Sequence, residues 1–378
     1  MKYETSSFGT IVNALTGILS ALVLLSAPVI ARAADSENQL NVYNWSDYIA
    51  DDTVANFQRE TGIKVRYDTY DSNEVLHAKL VAGRSGYDIV VPATNWAQLQ
   101  MQGGLLQKID KEQIPNLKNL DPAIMQRIAK VDPGNKYLVP WAWGVTTIGI
   151  NVDKVKAALG NTPLPADPFD LLFKEEYVSK LKSCGVSVLD TPDDVFPAAL
   201  NYLGYKTDSV VASQYKEAAT MLNKIRPYIT LFSSSGYIND MANGSLCMAL
   251  GWSGDFGIAK HRALEAKNGQ HIQMLLSKKG GEIWYSVIAI PADAPHPENA
   301  MKWINYILAG KVHAGVTNKI YYPNGNLASK PFITPEILND PAVFIPAEDQ
   351  ARFNFSGMIT SEIRRLRARL YTTFKTGL

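Results

Sequence analysis

The chain has 378 residues, of which 46% are hydrophobic and 19% are charged. A chain of this length can bury more than one hydrophobic core, so two domains are expected. Its 37 basic and 36 acidic residues nearly cancel. This balance argues against nucleic acid as a partner, because binding to phosphates requires an excess of basic side chains.

The N-terminal residues 1–33 are predicted to be a secretory signal peptide. Lys2 lies near the start, an uncharged apolar stretch occupies residues 11–30, and Ala31-Arg32-Ala33 has the small-x-small pattern of a cleavage site. Polar residues and a proline interrupt the apolar stretch, which favours cleavage over a permanent membrane anchor. We therefore predict that the chain is exported and that the mature chain begins near residue 34, with a formal net charge of zero.

The residues that follow are predicted to form a first lobe with βαβαβ order. Their patterns predict strands at residues 40–45, 63–67 and 87–91 and helices at residues 51–61 and 74–82. This order is typical of a doubly wound sheet, which binds ligands beyond the carboxyl ends of its strands. We expect residues 44–47 and 92–96 to face such a cleft.

A second lobe is predicted after an extended segment, residues 145–151, that crosses from the first. A rise in polarity at residues 263–269 and a new strand at 283–290 predict the return to the first lobe. Hinges are expected at residues 144–147 and 263–269. The predicted first lobe comprises residues 34–143 and 266–334, and the predicted second lobe comprises residues 144–265 and 335–378.

Near the C-terminus, the basic run at residues 364–369 could be a patch for phosphates or a membrane surface. Helical spacing of the neighbouring apolar residues favours a solvated helix face instead. The two cysteines, Cys184 and Cys247, are an even number in an exported chain, which favours a disulfide bond in an oxidising compartment over two buried thiols.

Sequence motifs for catalysis, metal binding and cofactor binding are missing. The five histidines stand far apart without a zinc-binding pattern, and no nucleophile elbow, phosphate-binding loop or dinucleotide fingerprint occurs. We therefore expect neither a metal nor a cofactor, and we expect no enzyme activity.

Aromatic residues beside acids or hydroxyls form the strongest local pattern. They occur at residues 45–47, 252–255 and 284–286, near predicted strand ends. An ammonium group that leaves water requires a carboxylate and gains further from an aromatic face, while the methylenes of a linear amine add about 0.8 kcal/mol each when buried. The plain alternative is that the aromatic side chains fill the core and the acids cap helices. The pattern alone does not distinguish an amine-binding site from core packing and helix capping.

Eight further segments are informative when taken together: residues 44–49 (NWSDYI), 58–65 (QRETGIKV), 71–76 (DSNEVL), 87–92 (YDIVVP), 149–155 (GINVDKV), 181–187 (LKSCGVS), 237–240 (YIND) and 251–255 (GWSGD). All of them resemble one family, the periplasmic polyamine-binding proteins of ABC importers. The likeness covers almost all of the mature chain. It implies an α/β, two-lobed periplasmic binding protein of type II sheet order, with a ligand cleft between hinged lobes.

The resemblance also implies a set of ligand-binding positions. These are Trp45, Ser46, Asp47, Ala93, Asp193, Asp194, Ser234, Trp252, Asp255, Trp284, Ser286 and Tyr322. Ala93 stands where putrescine binders have a serine, and Ser286 stands where they have an aspartate. The pair Asp193-Asp194 stands where the family has glutamates, and either aspartate can be the one at the site.

The function implied is reversible binding of putrescine or a related polyamine, without chemistry, by a monomer that delivers it to ABC permease subunits. The change at Ser286 removes a carboxylate, and a buried dication with too few carboxylates bears a desolvation cost of several kcal/mol. An ω-amino acid such as 4-aminobutyrate or 5-aminovalerate is therefore the alternative ligand. The alternative hypothesis from another functional class is that the chain is an enzyme of the same fold.

Overall fold

The computed structural model describes residues 38–355 and 357–377. The predicted signal peptide, residues 1–33, lies outside the described residues. Within them, no helix has both the length and the apolar character that crossing a bilayer requires.

Short strands and helices alternate along the chain. The strands are β1 (Gln39–Trp45), β2 (Lys64–Tyr70), β3 (Ile89–Val90), β4 (Leu106–Gln107), β5 (Val139–Asn151), β6 (Val186–Val188), β7 (Leu231–Phe232), β8 (Met248–Trp252), β9 (Ile272–Leu275), β10 (Gly281–Ile288), β11 (Ile290–Pro291) and β12 (Phe353–Phe355). The helices are α1 (Thr53–Thr61), α2 (Asn73–Val81), α3 (Thr94–Gln102), α4 (Pro122–Ile128), α5 (Val152–Leu159), α6 (Asp170–Phe173), α7 (Glu175–Leu181), α8 (Pro192–Tyr202), α9 (Ala212–Ile225), α10 (Tyr237–Asn243), α11 (Ser253–Glu265), α12 (Pro297–Ile307), α13 (Gly310–Ile320), α14 (Pro335–Leu338), α15 (Ala347–Gln350) and α16 (Ser361–Thr376). Short 3-10 helices span Lys111–Gln113, Pro115–Asn119, Lys182–Cys184, Arg226–Tyr228 and Leu327–Phe332.

The first lobe is built on a parallel sheet in which β1 lies between β2 and β3. Its order, β2-β1-β3, puts the first strand in the centre, and an antiparallel bridge joins Val90 of β3 to Ala289. Leu40 and Val42 of β1 are buried among apolar side chains of α1, α12 and α13. The predicted βαβαβ order is confirmed.

The second lobe repeats this strand order. Its sheet runs β7-β6-β8, with parallel pairing of β6 to both neighbours, and continues through antiparallel β5. The 13-residue strand β5 is buried throughout; its first half pairs with β10 and its second half with β8 and β9. A single continuous strand therefore connects the two lobes. The two-lobed α/β fold class is confirmed.

The lobe boundaries remain predictions, and the observed packing differs from them in two places. Helix α11 continues to Glu265, and β9 then pairs with β5 in the second sheet before β10 returns to the first lobe. Ile337 and Val343 pack with Ala314 of α13 rather than with the second lobe, whereas α16 packs in the second core. Pairing with β5 and contact with α13 are tertiary effects that local polarity does not reveal.

The prediction of a solvated basic face on α16 is wrong for two of its arginines. Arg367 is only 4% exposed and forms an ion pair with Asp193. The guanidinium of Arg364 lies 4.5 Å from the centre of the Trp96 ring, in a cation–π contact with the first lobe. Only Arg365 and Arg369 remain exposed. Periodicity identified the helix, but it could not show that α16 borders the other lobe.

The predicted disulfide bond is confirmed, and it joins Cys184 to Cys247 with a Cα–Cα distance of 5.5 Å. Cys184 ends a 3-10 helix just before β6, and Cys247 directly precedes β8. The strands β6 and β8 are parallel neighbours, with Val186 opposite Met248. The bond thus fixes the entry points of two adjacent strands of the second sheet.

We expect Cys184→Ser, Cys247→Ser and the double variant to lose about the same stability, about 2–4 kcal/mol in the free energy of unfolding, because each removes the same cross-link. Chemical denaturation of the three variants measures this loss. Titration of denatured, unreduced wild-type protein should find no free thiol. Two thiols per chain, or additive losses in the double variant, would contradict the assignment.

Candidate ligand-binding site

A cavity of about 820 Å³, part of it open to solvent, lies between the two lobes. It is bordered by residues that follow the carboxyl ends of strands in both sheets, as expected for doubly wound folds. Ser46 follows β1, Asp71 follows β2, Ala93 follows β3, and Ser234 follows β7. The first turn of α8 supplies Asp193 and Asp194, and that of α11 supplies Asp255.

All but one of the positions predicted for ligand binding line this cavity. They are Trp45, Ser46, Ala93, Asp193, Asp194, Ser234, Trp252, Asp255, Trp284, Ser286 and Tyr322. The exception is Asp47. That these residues contact a ligand remains a prediction, but the structure brings them to one place from distant parts of the chain.

Tryptophan side chains form the walls. The indole of Trp45 donates to the carbonyl of Val91 at 2.8 Å, and its ring meets that of Trp252 edge-on with centroids 5.7 Å apart. Trp284 lies over β5 at Gly144, where an added Cβ would stand 2.8 Å from the indole ring. A larger residue at position 144 would therefore displace this wall. The indole nitrogen of Trp284 is buried and has no hydrogen-bond partner within the described part of the chain.

Asp255 is a buried carboxylate held by two tyrosines. Tyr237 of α10 donates its hydroxyl to one oxygen at 2.6 Å, and Tyr322 donates to the other at 2.7 Å. Asp255 is 6% exposed. Burial raises the pKa of Asp255 to about 7, and nearby Asp47 adds to this rise, although both tyrosine hydroxyls and Arg262 oppose it. An added positive charge at this place would favour the ionised form.

Asp194 is a second carboxylate that faces the cavity, and it is half-buried. One of its oxygens accepts hydrogen bonds from the hydroxyl of Thr146, at 2.7 Å, and from the indole of Trp252, at 2.9 Å. Burial raises the pKa of Asp194 to about 6, against the effect of both hydrogen bonds. Trp252 is thus both a wall of the cavity and a positioning group for this carboxylate.

The neighbouring Asp193 has different partners, although it borders the same cavity. Its carboxylate accepts hydrogen bonds from the guanidinium of Arg367 and the indole of Trp96. Asp193 and Asp194 could not be distinguished by sequence, but their partners differ. Asp193 forms an ion pair within the protein. Asp194 has only neutral donors among its hydrogen-bond partners in the described residues.

Asp47 lies outside the cavity lining and joins the lobes. Its carboxylate is 2.7 Å from the guanidinium of Arg262 on α11, which also donates to Asn239 on α10. Its backbone has a positive φ of 53°, which turns the chain out of β1. The sequence could not distinguish a ligand contact from a contact between lobes, because both require an acid at the mouth of the cleft.

The two departures from the family pattern meet in the structure. Ala93 and Ser286 are joined by an antiparallel bridge, and the hydroxyl of Tyr48 lies 3.3 Å from that of Ser286. Ser286 is 4% exposed. The hydroxyls of Tyr48 and Ser286 make this part of the cavity polar, and none of these three residues is charged.

Sequence reasoning missed several lining residues. They include Tyr48, Asp71, Asn73 and Glu282. Two signals were available. Asp71 directly follows β2, at the carboxyl end of a strand, and Glu282 shares a strand face with Trp284 and Ser286 because side chains alternate along β10.

Comparison with protein families gives one match over most of the chain. Residues 52–345 match the family described as bacterial extracellular solute-binding protein. The putrescine-binding periplasmic protein PotF of Escherichia coli K12 is 46% identical over 362 residues, which are 95% of this chain and 98% of that protein. The putrescine-binding periplasmic protein SpuD of Pseudomonas aeruginosa UCBPP-PA14 is also 46% identical, over 360 residues with the same coverage of both chains.

Solved structures show the same fold. The spermidine/putrescine ABC transporter substrate-binding protein PotD of Streptococcus pneumoniae has a TM-score of 0.70 at 25% identity, with 90% of this chain and 99% of that chain covered. The TpPotD lipoprotein of Treponema pallidum has a TM-score of 0.74 at 24% identity, covering 89% of this chain and 99% of that one.

The raised pKa of Asp255 predicts a pH-dependent stability. Between about pH 4 and 7 the folded protein holds a proton on Asp255 that the unfolded chain releases, so stability falls as pH rises through this window. Asp255→Asn removes this effect, and we expect its free energy of unfolding to rise relative to wild type by up to about 4 kcal/mol from pH 4 to 7.

Urea denaturation without ligand at pH 4, 5, 6 and 7 measures the difference. Asp51→Asn is the control, because Asp51 lies in a solvent-exposed ion pair with Lys319. Parallel pH profiles of wild type and Asp255→Asn would show that Asp255 does not hold such a proton.

Proposed function

The chain belongs to the bacterial extracellular solute-binding protein family, and from this premise we infer that its cavity binds putrescine or a related polyamine reversibly and without chemistry. The observation that carries the inference is the charge of the cavity. Asp71, Asp193, Asp194, Asp255 and Glu282 line it, and no lysine, arginine or histidine does so within residues 38–355 and 357–377. A cavity of this charge favours a cation.

The walls favour a linear amine over a compact cation. The rings of Trp45, Trp252 and Trp284 offer apolar surface for methylene groups and faces for ammonium groups. Asp194 and Asp255 offer carboxylates that can accept charge-assisted hydrogen bonds. An amine ligand stays protonated over the range in which these two carboxyls titrate, so its binding should release protons and weaken as pH falls below about 7.

The alternative, an ω-amino acid, has less support. Its carboxylate would require a cation or strong donors, and Arg367 and Arg262 are already engaged by Asp193 and Asp47. The absence of a carboxylate at Ser286 favours this alternative. Asp71 and Glu282, which the sequence reasoning did not place at the site, supply other carboxylates to the same cavity.

The relatives also support a cellular location and a transport partner for this chain. PotF and SpuD are named periplasmic proteins, and PotD of Streptococcus pneumoniae is named an ABC transporter substrate-binding protein. With the predicted signal peptide, this supports a periplasmic receptor that delivers its ligand to an ABC permease. Mass spectrometry of putrescine after incubation with the protein should show the ligand unaltered, and turnover would favour an enzyme.

We expect Asp255→Asn to weaken putrescine binding at least 100-fold, because it removes the charge of a buried carboxylate that the ligand ammonium would neutralise. Isothermal titration calorimetry at pH 8 measures the change. Asp51→Asn, the exposed control, should bind within twofold of wild type. Unchanged affinity in Asp255→Asn would contradict the proposed function.

Asp47 should act on affinity through closure of the lobes. We expect Asp47→Asn and Arg262→Gln each to weaken putrescine binding by about threefold to tenfold, since each breaks the same partly exposed ion pair between lobes. The double variant should bind as weakly as either single variant, and this non-additivity is the test. Additive losses would instead indicate that Asp47 and Arg262 act independently.

A further inference from the structure

The basic run of α16 reaches the boundary between the lobes. The helix itself packs in the second core through Ile363, Tyr371 and Phe374. From the neighbouring positions, the guanidinium of Arg364 lies 4.5 Å from the centre of the ring of Trp96, which belongs to α3 of the first lobe. The C-terminal helix of one lobe therefore contacts the other lobe through a charged side chain.

Trp96 has a second partner on the same side of the boundary. Its indole nitrogen donates a hydrogen bond to the carboxylate of Asp193 on α8, and this carboxylate also accepts from Arg367 of α16. Trp96 is 3% exposed. Separation of the lobes would bring its ring into water and would break its contacts with both Asp193 and Arg364.

The first lobe also presents negative charge to this arginine. Burial lowers the pKa of Arg364, and Glu74 of α2 acts in the opposite direction. His77 of the same helix packs beside Trp96, with ring centres 5.2 Å apart, and so supports the ring from within the first lobe. A cation gains more from an aromatic face when it is withdrawn from water. The contact between Arg364 and Trp96 therefore favours the joined lobes.

This contact lies beside the ligand cavity and not in its lining. Asp193 borders the cavity, whereas Trp96, Arg364 and Arg367 do not. The two arginines border a smaller cavity of about 290 Å³. A residue that meets the opposite lobe without touching a ligand can change affinity through the equilibrium between open and closed lobes.

We propose that Arg364 is a positioning residue for ligand retention, which holds Trp96 together with Asp193 and thereby slows the release of a bound amine. Arg364, Trp96 and Asp193 form what we call the Trp96 latch. The proposal rests on the proposed function, because it concerns the release of the same ligand. An amine enters while the lobes are apart and leaves only after the latch breaks. Loss of the latch should therefore raise the dissociation rate and leave the association rate nearly unchanged.

Dissociation of radiolabelled putrescine, chased with excess unlabelled putrescine, tests the latch on the mature, disulfide-bonded protein at pH 8. We expect Arg364→Gln to release putrescine about threefold to thirtyfold faster than wild type, the range that corresponds to loss of a cation–π contact. Arg365→Gln is the matched control, because it removes the same charge from an exposed neighbouring position of α16. The control should release putrescine at the wild-type rate.

Spermidine should show the same acceleration as putrescine in Arg364→Gln, because Arg364 and Trp96 do not line the cavity. Association rates of both amines should stay within about twofold of wild type, as expected when a mutation acts mainly on dissociation. A change that merely disturbed the shape of the cavity would affect the two amines unequally.

Trp96→Phe gives a second measurement, in case Arg364→Gln folds poorly. It keeps an aromatic ring for Arg364 but removes the N–H group that binds Asp193, and it should speed release at least about threefold.

Release at the wild-type rate from Arg364→Gln, or from Trp96→Phe if it is the variant that folds, would overturn the proposal. Equal acceleration in Arg365→Gln, or unequal acceleration for the two amines, would also overturn it. In those cases wild type still binds putrescine and the proposed function stands; if wild type binds neither amine, both fail.

Discussion

The cavity depends on the burial of negative charge between the two lobes. Asp255, on the second lobe, accepts a hydrogen bond from Tyr237 of its own lobe and another from Tyr322, which follows α13 of the first. Both donors are neutral, so they orient the carboxylate without neutralising it, and burial raises its pKa to about 7. A cation that binds at such a site stabilises it. This is how a cationic ligand can favour the closed arrangement.

Other contacts between the lobes lie outside this centre. The Asp47–Arg262 ion pair lies at one side of the cleft, and the contacts of Trp96 with Asp193 and Arg364 lie at another. Trp45 of the first lobe meets Trp252 of the second at the cavity itself. The continuous strand β5 connects the lobes through the buried segment that also carries Gly144, against which Trp284 lies.

Strand periodicity and strand-end rules predicted much of this arrangement. The βαβαβ order of the first lobe, the crossing strand within 145–151 and the cleft-facing segments 44–47 and 92–96 all follow from local patterns. Tertiary pairing decided the rest. The polarity at residues 263–269 resembled a crossing between lobes, but β9 first adds to the second sheet, because its backbone groups pair with those of β5.

The sequence by itself determined the fold class, the disulfide-forming cysteines and most of the residues that line the cavity, because these follow from periodicity, from strand ends and from motifs shared with a family. Only the tertiary structure decided which partners these acids have. Asp193 and Asp194 are adjacent in sequence, yet only Asp193 meets Arg367, and Asp47 meets Arg262 across the cleft. Glu282 reaches the cavity through the pairing of β10 with β5. The charge of a carboxylate depends on partner residues that are distant in the sequence, and local sequence patterns do not identify those partners.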